Sequence, residues 1–215
     1  MIGVHKGLNP ILIEEFCGDF ELLIVEISIS AKKVQIMSGY GPQECWPLEK
    51  RLPFFEALES SITKAVLAGK SVLISLDAKS KLGPSWIPKD IHAQSPNGKI
   101  LAGILDRHAL IVANGLEGKS QGIITRHRTT VDIIEKSTID FVILSSDLAQ
   151  ASLAVIGNIA FPSGRNKGKI ISFTFTGDEF TRSPPVAPRL PSRNVRNVFP
   201  SLSQSAPIEL MFGGF

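Results

Sequence analysis

A chain of 215 residues, 43% hydrophobic and 20% charged, has the composition of one folded globular domain plus some tail. It contains no apolar run near the ~20 residues a membrane span needs, and its opening Met-Ile-Gly-Val-His-Lys-Gly lacks the layout of a secretory leader, which points inside the cell rather than to secretion. The net charge of +3 arises from Thr181 onward, where four arginines face one acid; residues 1–180 hold 19 basic and 19 acidic side chains, which excludes a strongly basic nucleic-acid footprint in the body.

The first ten residues carry no pattern. Leu22, Ile24, Ile27 and Ile29, set among Glu21, Glu26 and Ser28, predict a strand over 20–30 with one register adjustment. Val34–Gly39 returns as its hairpin partner. Gly39-Tyr40-Gly41-Pro42 then reads as a loop. Tyr40 is the only tyrosine in the chain, and there it either offers its hydroxyl to a ligand or packs its ring over the loop. Leu52, Phe55, Leu58, Ile62 and Val66 recur at helical steps, so Leu48–Leu67 is the clearest helix. Pro53 belongs in a first turn, which places the start of regular helix near Arg51 or Leu52, and Gly69 ends it.

Ser71-Val-Leu-Ile-Ser-Leu-Asp77 is a near-continuous apolar run, the mark of a buried central strand, and it ends on a carboxylate. An acid at the carboxyl end of a core strand suits a metal ligand or a base; the plainer alternative is an Asp capping the turn that follows. Residues 83–98 read as a loop, Lys99–Arg107 as a short helix, and Ala109–Ala113 and Ile123–Thr130 as strands. Ser137–Ser145 is an apolar strand with Asp140 near its start, the converse of the first layout, so the two strands side by side would bring Asp77 and Asp140 to one rim. Leu153–Ile159 and Lys169–Phe175 are expected as further edge strands. The mixture gives an α/β (α+β) domain over 1–180. Residues 181–215, rich in Pro, Ser and Arg, are expected to be disordered, because they offer too little apolar surface to offset their ordering entropy.

Three segments in this order carry a resemblance. Ser38-Gly39-Tyr40-Gly41-Pro42, Leu76-Asp77-Ala78-Lys79-Ser80-Lys81-Leu82-Gly83 and Ser137-Thr138-Ile139-Asp140-Phe141 resemble motifs of the endonuclease/exonuclease/phosphatase superfamily, specifically the endonuclease domain of non-LTR (LINE-type) retrotransposons. Asn97-Gly98-Lys99 and Val112-Ala113-Asn114-Gly115 fit between them. The resemblance implies two packed, mostly antiparallel sheets flanked by helices, a four-layer sandwich, and Mg²⁺-dependent hydrolysis of phosphate esters. It implies catalytic roles for Asp77, Asp140 and Tyr40: Asp77 to orient or deprotonate water, Tyr40 to touch phosphate, and Asp140 to position the metal-side or His-side network, with the metal as its candidate ligand. It further implies substrate contacts for Lys79 and Asn114, and DNA as a candidate partner.

Departures from the family pattern are equally specific. Residues 1–19 are too few for the two strands that carry the family's metal-orienting Asn and metal-binding Glu, so the domain reads as partial. Lys79 stands where the family has Asn. The closing Ser-Asp-His is absent, with Gly177-Asp178-Glu179 the nearest match, and His5, His92, His108 and His127 read as surface or loop residues. Cys17 and Cys45 have no metal-type spacing and fit a reducing compartment. The expectation is a retroelement-derived nuclease domain with impaired activity. The alternatives are a degenerate scaffold or binding module and a phosphatase acting on a small molecule.

Overall fold

The structure, a computed structural model, describes residues 8–18, 20–29, 32–88, 90–114, 116, 125–130, 133–158, 169–175 and 207–212. In chain order its elements are β1 (Ile11–Phe16), β2 (Glu21–Ile29), β3 (Lys32–Tyr40), α1 (Leu48–Leu67), β4 (Ser71–Asp77), α2 (Pro96–Arg107) and β5 (Ile111–Val112). They continue as β6 (Arg126–Thr130), β7 (Ile133–Ser137), β8 (Asp140–Leu144), α3 (Ser146–Ala151), β9 (Ser152–Asn158), β10 (Lys169–Phe175) and β11 (Pro207–Phe212). The fold is α/β. A six-stranded mixed sheet runs in the order β1-β2-β3-β4-β8-β5, beside a three-stranded sheet β11-β10-β9 and the pair β6-β7. Within the six-stranded sheet β3 and β4 run parallel and the other pairs antiparallel. The parallel pair requires a crossover, and α1 supplies it.

Both faces of the large sheet are covered. Phe54, Phe55, Leu58 and Ile62 of α1 and Leu101, Ile104 and Leu105 of α2 pack with Ile24, Met37, Ile74, Leu76 and Phe141. On the opposite face Ile27, Val34, Ile36, Leu73, Val142 and Leu144 pack with Leu148 and Ala149 of α3. This two-sided burial corrects the expected register adjustment in β2. Its pairing with β3 runs unbroken from Glu21 to Ile29, with Leu22 and Ile24 in the helix-side core and Val25, Ile27 and Ile29 in the other. A strand buried on both sides is free to change the parity of its apolar residues without a bulge.

Other boundaries also move. Helix α1 begins at Leu48, with Pro53 inside it, because Lys50 N already closes a turn on Pro47 O at 3.1 Å. Helix α2 begins at Pro96 rather than Lys99. Ser95 caps it by accepting from Gly98 N, so Pro96 sits at the first helical position, where a missing N–H costs nothing. The apolar stretch 137–145 is divided: Ser137 ends β7, and β8 starts at Asp140. Strand β1 was not anticipated. It is a sheet edge with Ile11, Leu12 and Ile13 exposed, and its run of apolar residues lacks the alternation that marks a half-buried strand.

In the tail, Pro207–Phe212 pairs antiparallel with β10, which corrects the expected lack of order for those six residues. Pro207 is tolerated as the first residue of a strand. Strand β10 lies between β9 and β11, so it is central to its sheet rather than an edge. Residues 181–206, Gly177-Asp178-Glu179, Ile123 and His5 lie outside the described residues. No helix among the described residues is long and apolar enough to cross a membrane.

Candidate functional site

The carboxyl end of β4 forms a rim with its two neighbours. Tyr40 and Asp77 are partners across β3–β4, and Asp77 and Asp140 are partners across β4–β8. Register partners share a sheet face, and partners in an antiparallel pair lie within ~5.5 Å at Cα. The sequence expectation that the two strands bring Asp77 and Asp140 to one rim is met, and β3 sets Tyr40 beside them.

Backbone clamps fix the rim. Gly41 N donates to Asp77 O at 2.7 Å, and Ala78 N donates to Ile139 O at 2.9 Å. Thr125 Oγ1 accepts from both Ile139 N and Asp140 N, at 3.0 and 3.1 Å. A Cβ on Gly41 would come within 3.0 Å of Ala78 O, so the close approach of the two loops depends on this glycine. Asn114, expected to touch substrate, is fully buried, and its side chain clamps β8 instead. Its Nδ2 donates to Asp140 O at 2.9 Å, and its Oδ1 accepts from Val142 N at 2.8 Å.

Asp77 is held in tension. Burial and the neighbouring charge of Asp140 push its pKa above the ordinary carboxyl range, and Lys79 pulls in the opposite direction without prevailing. Oδ2 receives Lys79 Nζ at 2.6 Å, whereas Oδ1 is buried with no hydrogen-bond partner among the described residues. Desolvation works against the charge on Lys79, but the hydrogen bond and charge of Asp77 outweigh it, with a contribution from Tyr40, and its pKa is raised. The same ammonium lies 4.5 Å from the centroid of the Tyr40 ring, within cation–π range.

The family resemblance implies Mg²⁺, and the rim fits it poorly. Magnesium is usually held by one or two carboxylates in near-ideal octahedral geometry. Here a tethered ammonium is already bonded to the Asp77 oxygen that would face it. Among the described residues no group of three or more His, Cys, Asp or Glu side chains is arranged to hold a metal.

His92 and His108 bond elsewhere. His92 Nδ1 lies 2.9 Å from Asp90 Oδ1, and His108 Nε2 lies 3.7 Å from Glu59 Oε1. The network behind Tyr40 escaped the sequence reading: Asn97 is fully buried, accepts from Arg51 Nη1, and donates to Pro42 O at 3.0 Å. Its signals were Asn97-Gly98-Lys99, quoted for the resemblance without a role, and Pro96-Asn97-Gly98, placed in a loop when it opens a helix.

No family model and no curated protein sequence matches the chain. Solved structures of endonuclease/exonuclease/phosphatase type do resemble it. With the endonuclease domain of TRAS1, a telomere-specific non-LTR retrotransposon, the TM-score is 0.46 at 17% identity, over 64% of this chain and 56% of that one. With D. rerio TDP2 complexed with single-strand DNA product the values are 0.44 and 13%, over 73% and 63%. With an endonuclease/exonuclease/phosphatase family protein from Bacteroides thetaiotaomicron they are 0.41 and 8%, over 70% and 55%. The chain therefore spans between 55% and 63% of the length of these three structures.

Proposed function

We propose that the chain is an endonuclease/exonuclease/phosphatase-like domain, of non-LTR retrotransposon origin, whose ancestral chemistry is Mg²⁺-dependent hydrolysis of DNA phosphodiesters and whose cleavage is impaired. The observation that carries this reading is the ladder Tyr40–Asp77–Asp140 at one rim, with the Lys79 ammonium bonded to Asp77. Burial and a second carboxylate raise the proton affinity of Asp77, the direction that favours a role as proton acceptor from water. Tyr40, 37% exposed beside it, is the candidate phosphate contact. Asp140 completes the acidic side of the site.

Impairment follows from the same residues. With Lys79 on Oδ2, the carboxylate is engaged before any water or metal reaches it. The sequence also lacks the Ser-Asp-His that would supply a donor to the phosphorane, and loss of one such donor typically costs about 2.7–4 kcal/mol of barrier. Groups that act as a unit fail together, so the deficits compound. An intracellular setting belongs to this proposal, with Cys17 and Cys45 free and exposed.

Plasmid nicking by the purified full chain, with and without Mg²⁺ and beside Asp77→Ala, tests it. The expected result is no metal-dependent nicking above the Asp77→Ala background. Robust Mg²⁺-dependent nicking abolished by Asp77→Ala would establish a working enzyme and overturn the impairment.

A further inference from the structure

Lys79 has a backbone φ of +46°, a left-handed conformation that side chains with a Cβ rarely adopt. The turn has a consequence for the side chain. Successive residues of a strand point to opposite faces, and Ala78 anchors the strand end by donating to Ile139 O. The left-handed residue that follows folds its own side chain back, so that Nζ reaches Asp77 Oδ2 at 2.6 Å and the Tyr40 ring face at 4.5 Å. The side chain of Lys79 is 19% exposed, far more covered than a surface lysine. Long cationic side chains ordinarily keep their heads in water; this one surrenders hydration to sit between a carboxylate and an aromatic face.

We infer that Lys79 is the resident cation of this rim: its ammonium occupies Asp77 and keeps a divalent ion off that carboxylate. The inference rests on reading the rim as a once metal-dependent site. It goes further in naming the residue that now fills the cation's role. A metal arriving at Asp77 meets a carboxylate already neutralised by a charge that is covalently tethered, and so present at an effective concentration that dilution does not lower. The left-handed backbone makes this contact a property of the turn rather than a chance pairing of two flexible chains. Position 79 is also one where Asn, which tolerates the left-handed region, would sit with less backbone strain and no competing charge.

The test is paramagnetic broadening by Mn²⁺ in amide NMR spectra of the full-length ¹⁵N-labelled protein. The amides of Gly41 and Ala78 are the reporters, because both lie in the backbone bonds that flank Asp77. Wild type and Lys79→Arg, which keeps the cation, are expected to show no broadening of these two amides beyond that of amides in α1. Lys79→Asn and Lys79→Met are expected to show selective broadening at Mn²⁺ concentrations at least tenfold lower. A second change, Asp77→Asn, is expected to abolish it.

Selective broadening in wild type that Asp77→Asn removes would overturn the inference. So would its absence in both Lys79→Asn and Lys79→Met when their spectra keep native dispersion. The two proposals fail separately. Selective Mn²⁺ uptake by wild type without nicking sinks only this one, whereas nicking by wild type without such uptake sinks only the impairment of cleavage.

Discussion

At the foot of the sheet, on β2 and in register through Gln35 with Val72 of β4, Glu26 is 6% exposed and receives Lys70 at 2.6 Å and Lys33 at 3.1 Å. At the carboxyl end of β4, Asp77 receives one ammonium, faces a second carboxylate in register, and leaves one oxygen buried and unpartnered among the described residues. The same sheet thus treats two covered carboxylates in opposite ways. Hydrogen bonds from Lys70 and Lys33 hold the Glu26 carboxyl below its ordinary range against burial, while burial and Asp140 hold Asp77 above its own. A charge kept for stability is surrounded by opposite charge until it is satisfied. At Asp77 burial and a second acid leave the charge only partly satisfied.

The sharpest way to break the contrast is through the backbone that holds the rim. A Cβ on Gly98 would lie 1.9 Å from Lys81 O, a backbone atom that cannot step aside. Gly98→Ala is expected to destabilise by more than about 3 kcal/mol in urea unfolding, above the usual range for overpacking. A loss under about 1 kcal/mol would mean that the loop bearing Lys79 and Lys81 is free to move.

Removing the foot's charge comes next in size. Glu26→Gln leaves the ammonium of Lys70, 19% exposed, without its carboxylate and is expected to cost about 1–3 kcal/mol at neutral pH. Asp77→Asn, by contrast, takes the bonded carboxylate from Lys79, also 19% exposed, but relieves a desolvated charge set beside Asp140, so the two effects oppose each other. Its expected effect is a loss under about 1 kcal/mol. Equal losses in the two variants would erase the distinction between foot and rim.

The smallest effect is a pH dependence with opposite signs. The depressed pKa of Glu26 contributes stability above its unfolded value, and that contribution is lost as pH falls through the folded value. The raised pKa of Asp77 works the other way: in the window between its folded value and the ordinary Asp value below it, the folded state binds more protons than the unfolded one, so acidification stabilises. Unfolding free energies of wild type and Asp77→Asn, compared across that window, are expected to diverge in favour of wild type as pH falls. A constant difference would show that Asp77 titrates normally.

Much of the scaffold was legible because its signals are local. The helical spacing of Leu52, Phe55, Leu58 and Ile62, the apolar run ending on Asp77 and the hairpin of β2 and β3 each follow from a period within one segment. Strand β1 and the start of α2 were not legible. The first has no alternation, and the second hides its capping serine behind a Pro-Asn-Gly that reads as a turn.

For the rim, the sequence by itself determined which side chains end their strands, so Tyr40, Asp77 and Asp140 could be proposed together from placement and motif order. Only the tertiary structure decided what each one does there. Pairing register made Asp77 and Asp140 neighbours, because register is set by the whole strand rather than by its last residue. Burial consumed the side chain of Asn114 on the backbone of β8, which no local pattern announces. A left-handed turn brought Lys79, for which the resemblance implies a substrate contact, back onto Asp77.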